Sequence, residues 1–112
     1  MIDTNEQVLT GVHPLITKRF SPKEYDTRRV DNDTLMTLFE AARLAPSSYN
    51  EQPWRFIVAH REDGVLFDTL LETLNERNRA WASQAPVLML TVASKLLERN
   101  GRPNRHALHD LG

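Results

Sequence analysis

Pro46-Ser47-Ser48-Tyr49-Asn50-Glu51-Gln52-Pro53-Trp54-Arg55-Phe56-Ile57-Val58-Ala59 passes from a polar loop, closed by a proline at each end, into a short β-prone run. The prolines exclude a continuing helix across the loop, and Trp54 to Ala59 is aromatic and branched enough to predict a buried strand. Upstream, Asp31, Asn32 and Asp33 offer helix caps ahead of Leu35, Leu38, Phe39 and Ala42. Their i, i+3, i+4, i+7 spacing predicts an amphipathic helix that stops before Pro46. Downstream from Gly64, Phe67, Leu70, Leu71 and Leu74 share one helical face, with Asp68, Glu72, Glu76 and Arg77 largely elsewhere, which predicts a second long helix. Pro86 to Ala93 is a continuous apolar run of strand length, as expected of a sheet covered on both faces. Arg105 to Gly112 reads as the opening turns of a further helix. The expectation is a layered α+β (α/β) domain with a central sheet flanked by helices.

Composition narrows the function classes. The 112 residues are one domain's worth, without repeats, low-complexity segments or an internal linker. Leu, Ile, Val and Phe make up about 26% of the chain, above the level typical of disorder. With no cysteine, the chain has no disulfide, thiolate nucleophile or cysteine-held metal. Fourteen basic against fifteen acidic residues leave a net charge of −1, without the cationic excess that non-specific nucleic-acid binding needs. Met1 to Glu6 is acidic where a signal peptide is basic, and the longest apolar stretch, Ala85 to Ala93, is far short of a membrane span. A soluble, cytoplasmic protein with neither nucleic-acid nor membrane partners is expected.

Two constellations carry chemistry. Lys18-Arg19-Phe20-Ser21-Pro22-Lys23 gathers three cations and a hydroxyl within six positions, a donor set suited to a phosphate. A solvated basic face is the plainer reading. In the 46–53 loop, Ser47, Ser48, Asn50 and Gln52 place donors and acceptors side by side, as the edge of a heterocycle demands, with Trp54 available as an aromatic wall. A well-capped loop with Trp54 in the core is the alternative. His106 and His109 with Asp110 form a weak metal pair lacking a third ligand. The carboxylate pairs Asp31/Asp33 and Glu72/Glu76 fit helix-cap and surface roles. No nucleophile elbow, catalytic triad or glycine-rich phosphate loop is present.

Lys18 to Asp26, followed by Glu40-Ala41-Ala42-Arg43-Leu44-Ala45 and the Pro46 to Val58 stretch, resembles the N-terminal half of the FMN-dependent nitroreductase family. Pro-Ser-Ser-x-Asn-x-Gln-Pro-Trp after an alanine-rich helix end is the specific motif. Asn78-Arg79-Ala80-Trp81, Ala85-Pro86 and His109-Asp110-Leu111-Gly112 are similar too. The likeness covers nearly all of this chain and about half of a usual member, so residues 1–112 are expected to form a single nitroreductase-like domain, the N-terminal half of a longer family fold.

The resemblance implies FMN as cofactor and a homodimer with two flavin sites at the subunit interface, each built from both chains. Arg19 and Ser21 match phosphate-binding positions, with Phe20 between them, and Lys23 matches the basic residue near the flavin pyrimidine ring. Pro46, Ser47, Ser48 and Asn50 match the loop that reaches the flavin of the partner subunit, and Asn78 the residue facing the ring edge. The implied activity is ping-pong: hydride passes from NAD(P)H to the flavin, and then to a nitroaromatic, quinone or similar small-molecule acceptor. No protein side chain serves as the catalytic group, because the flavin carries the chemistry. The alternatives are a non-catalytic flavin-binding or interaction module, and a structural partner domain without a ligand.

Overall fold

In the computed structural model, which describes residues 11–112, Asp31 caps the first long helix. Its carboxylate accepts from the Thr34 amide at 2.7 Å, and the helix, α2 (Asn32–Arg43), runs as the apolar spacing predicts. A one-turn helix that the sequence did not announce, α1 (Pro14–Thr17), precedes it, capped by the His13 imidazole, whose Nδ1 accepts from the Leu15 amide. The acidic Met1 to Glu6 stretch lies outside the described residues.

Strands β1 (Trp54–His60) and β2 (Val87–Ala93) form an antiparallel pair, from Trp54 opposite Ala93 to His60 opposite Val87. Side chains alternate between the two faces, so Phe56 and Ala59 point to opposite sides. Phe39 of α2 lies against Phe56 with ring centroids 5.1 Å apart. On the other face, Phe67 and Leu70 of α3 (Val65–Glu72) close over the fully buried Ala59, with Leu71 and Leu88 beside them. The expected helix–sheet–helix layering is therefore present.

Two expectations need correction. The long helix predicted from Gly64 is two helices, because the Asn75 side chain accepts from the Asn78 amide at 2.9 Å and caps a new one, α4 (Glu76–Ala82). The chain turns at Thr73 to Asn75, and Leu74 belongs to the connection. The sheet is also not covered on both faces along its length: Ile57 and its partner Leu90 are 42% and 40% exposed, and Met89 on the opposite face is 41% exposed.

Arg61 fastens the two strand ends to each other. Its amide donates to the Pro86 carbonyl at 2.9 Å, and its guanidinium to the carbonyls of Ser83 and Ala85. After β2, Ser94 donates back to Pro53, an isolated bridge pairs Leu96 with Pro103, and the chain enters α5 (Ala107–Leu111) on the buried Ala107.

The chain exposes 9462 Å² of surface, against about 6,300 Å² for a compact protein of its mass. Ten fully extended residues account for at most roughly 1,700 Å², so the described residues carry an excess by themselves. Leu15, Ile16, Phe20, Met36, Leu44 and Leu108 are each more than 60% exposed.

The Asp31 cap yields a pH-dependent expectation. Hydrogen bonding from the Thr34 amide, then its hydroxyl, holds the Asp31 carboxyl below its ordinary value of 3.8, with Arg29 adding a smaller pull. A lowered folded-state pKa means stabilisation that is complete above the unfolded value and lost as pH falls through the folded one. Asp31→Ala should therefore lower the thermal midpoint at pH 7, and the gap to the parent should close below pH 3.8. A gap of constant size from pH 7 to pH 3 in thermal unfolding would exclude the ionised cap.

Candidate functional site

The proline-closed loop folds into a 3₁₀ turn over Ser48–Asn50. Asn50 and Glu51 donate their amides to the carbonyls of Ser47 and Ser48, and the Ser47 hydroxyl accepts from the Gln52 amide at 3.0 Å. Tyr49, Asn50 and Gln52 all have left-handed backbones, at φ of 54°, 52° and 48°. Three such non-glycine residues in four positions persist only where surrounding contacts over-determine the shape. The Ser48 amide donates to the Asp110 carboxylate at 2.9 Å, and the Gln52 side-chain amide donates to the Asn50 side-chain oxygen at 3.0 Å. Ser47 and Ser48 are half-buried, while Pro46 and Asn50 face outward. The loop thus holds an ordered side-chain amide pair, with the Ser47 hydroxyl bonded into the same turn.

The cationic constellation lies on an exposed segment that leaves the end of α1 without regular structure. Arg19 reaches the Ser21 hydroxyl at 3.5 Å, which brings a guanidinium and a hydroxyl to one side of the chain. Neither Arg19 nor Lys23 pairs with an acidic side chain among the described residues. Phe20, Pro22, Lys23 and Glu24 line a shallow concavity, and Phe20 is 73% exposed. Just beyond, Tyr25 stacks on Trp81 of α4, with ring centroids 5.7 Å apart. Asn78, half-buried, sits one turn before Trp81, so this stack tethers the cationic segment to the helix carrying Asn78.

The predicted residues thus fall into two groups: Arg19, Phe20, Ser21 and Lys23 beside the Asn78 helix, and Pro46, Ser47, Ser48 and Asn50 on the loop. Among the described residues, no hydrogen bond, ion pair or cavity is common to the 19–23 segment and the 46–50 loop.

The structure adds residues that the motif reading missed. A cavity of about 220 Å³ opens beside the loop, lined by Ser48, Tyr49, Leu97, Arg99, Asn104 and His106 among others. The Arg99 guanidinium lies 4.0 Å from the centroid of the Tyr49 ring, and the Glu51 carboxylate takes both Arg99, at 3.7 Å, and the Glu98 amide, at 3.0 Å. These partners are separated by roughly fifty positions, so no local pattern announces them. His106 lines that cavity whereas His109 is 3.6 Å from its neighbour Asp110, and no cluster of three metal-ligating side chains occurs among the described residues.

The model of the Nitroreductase family matches residues 16–110, from α1 into α5. This chain belongs to the nitroreductase family. It is 42% identical over 98 residues to an oxygen-insensitive NADPH nitroreductase of Helicobacter pylori, an alignment covering 87% of this chain and 44% of that enzyme. It is 46% identical over 50 residues to the major NAD(P)H-flavin oxidoreductase of Aliivibrio fischeri, covering 41% of this chain and 23% of that one. Among solved structures, an oxidoreductase containing FMN superposes with a TM-score of 0.83 at 32% identity, over 100% of this chain and 58% of the other. A nitroreductase family protein of Clostridium difficile gives 0.60 at 27% identity, over 87% and 53%. The chain spans less than half the length of these curated relatives. The small antiparallel sheet with helices on both faces is accordingly part of a nitroreductase fold. No helix among the described residues is long and apolar enough to cross a membrane.

Proposed function

We propose that the chain supplies the N-terminal part of an FMN site in an NAD(P)H-dependent flavin oxidoreductase of nitroreductase type, and that a second copy completes the site. The pairing of Arg19 with Ser21 carries this reading: an exposed guanidinium and hydroxyl 3.5 Å apart, with no acid among the described residues holding the cation, fit a terminal phosphate. The rest of the donor set fits the other end of FMN. Asn50 and Gln52, fixed by each other, match the donor–acceptor edge of a pyrimidine-type ring, and Ser47 and Ser48 flank them.

Bound FMN supplies the hydride-accepting ring, the step no side chain of this chain can perform. The chain's own residues bind and orient. Arg19 and Ser21 would neutralise and hold the phosphate, Lys23 would offset negative charge at the pyrimidine end, and Asn78 would stand toward the ring edge. The separation of the cationic segment from the amide loop favours a site shared between two chains, each giving the segment to one site and the loop to the other. The exposed apolar side chains on α1, α2 and α5 are consistent with association. With the flavin so held, NAD(P)H would be the hydride donor and a nitroaromatic or quinone the acceptor.

Anaerobic titration tests the activity. Flavin bound by the chain should lose its absorbance near the visible maximum when NADPH or NADH is added, and regain it with a nitroaromatic or a quinone. Flavin that binds but resists bleaching by both nucleotides would favour a non-catalytic flavin-binding module.

A further inference from the structure

We propose that Asp110 is the positioning residue of the loop: its carboxylate, delivered by α5, fixes the Ser48 amide and with it the left-handed turn that presents Ser47, Ser48 and Asn50. The Asp110 side chain is only 10% exposed, and its Oδ2 accepts from the Ser48 amide at 2.9 Å across 62 positions of sequence. A carboxylate acceptor makes this bond roughly twice as strong as a neutral one. The carboxylate is held in place from behind. Ala107 is 1% exposed and seats α5 against the strands, while the Asp110 amide donates to the His106 carbonyl at 2.8 Å. Asn104, 8% exposed, donates its amide to the Lys95 carbonyl at 2.7 Å and accepts from the His106 amide at 3.0 Å. The helix that carries Asp110 is thus pinned to the sheet and to the segment that leaves β2.

On the loop side, Ser48 is the last residue before the left-handed run begins at Tyr49. Arg99 over the Tyr49 ring and Glu51 beneath the Glu98 amide tie the rest of the turn to the same 95–110 segment. Asp110 is the member of this set that bonds the turn's own backbone. Removing it leaves a half-buried amide without a partner and a strained turn free to relax. The consequence for flavin binding rests on the function proposed above; the Asp110–Ser48 bond does not.

Amide hydrogen exchange on the full chain, followed by NMR, separates the two. The Ser48 amide should be protected in the parent and exchange at least about 10-fold faster in Asp110→Ala, with β1 amides unchanged. Asp110→Asn keeps an acceptor oxygen and should restore most of the protection. FMN affinity should follow the same order, falling about 10-fold in Asp110→Ala and recovering in Asp110→Asn at similar thermal midpoints. An unprotected Ser48 amide in the parent, or equal protection in parent and Asp110→Ala, overturns the proposal. Should Asp110→Ala fail to fold, protection of Ser48 in the parent and in Asp110→Asn still decides it. A parent chain that protects Ser48 yet takes up no FMN removes the flavin reading and leaves the positioning role standing.

Discussion

Arg19→Ala is expected to weaken FMN binding by roughly 1.5–3 kcal/mol, about 10- to 150-fold, while leaving riboflavin affinity almost unchanged. The discrimination follows from where the side chain lies. Arg19 is exposed, and among the described residues its side chain hydrogen-bonds Ser21 alone, so replacing that side chain should not perturb folding. Riboflavin shares the ring system of FMN and lacks the phosphate, and only a phosphate contact tells the two apart. Fluorescence titration of both flavins against parent and variant reads the difference. Equal weakening of both ligands would mean damage to the fold, and an unchanged FMN affinity would remove Arg19 from the site.

A second large effect is expected from mixing subunits. Arg19→Ala damages the cationic segment, Asn50→Ala the amide loop, and each variant alone should bind FMN poorly at every site. If each site takes its segment from one chain and its loop from the other, a heterodimer has one site with both lesions and one with neither. Random exchange at equal concentrations makes half the dimers mixed, so about a quarter of all sites should recover full affinity. Recovery to that level, from variants individually near zero, is a gain that no single-chain site can produce. Mixtures that stay as poor as either variant, with subunit exchange demonstrated independently, would place both residues in one chain's site or in none.

How far the sequence could be read depended on the range of the interaction that decides each feature. Asp31 is legible because cap and helix are adjacent: its oxygen bonds an amide three positions on, and the apolar spacing that follows can have few other meanings. The break at Asn75 is equally local and was hidden by Leu74, which extends the spacing of Phe67, Leu70 and Leu71 although the chain has already turned. Pro86 to Ala93 reads correctly as a strand, yet its apolar character says only that both faces are to be covered. Within this chain α2 and α3 reach part of them and leave Ile57, Met89 and Leu90 half open.

The same distinction holds at the site. The donor types in the two motifs are visible in the sequence, since phosphate and heterocycle chemistry choose residues by kind. Their arrangement is not, because it is fixed by contacts between distant positions. Tyr25 reaches Trp81, Arg99 reaches Tyr49, and Asp110 reaches Ser48. None of these pairs has a spacing that a periodic pattern encodes, and each sets where a predicted residue stands.

The central claim is that this chain holds FMN at a site completed by a second copy. Native mass spectrometry of the full chain saturated with FMN tests it most directly. The account predicts two chains carrying two FMN molecules, with flavin absent from any monomer. Monomers that bind FMN one to one would contradict the shared site, and a chain that stays flavin-free at every concentration would contradict the claim altogether.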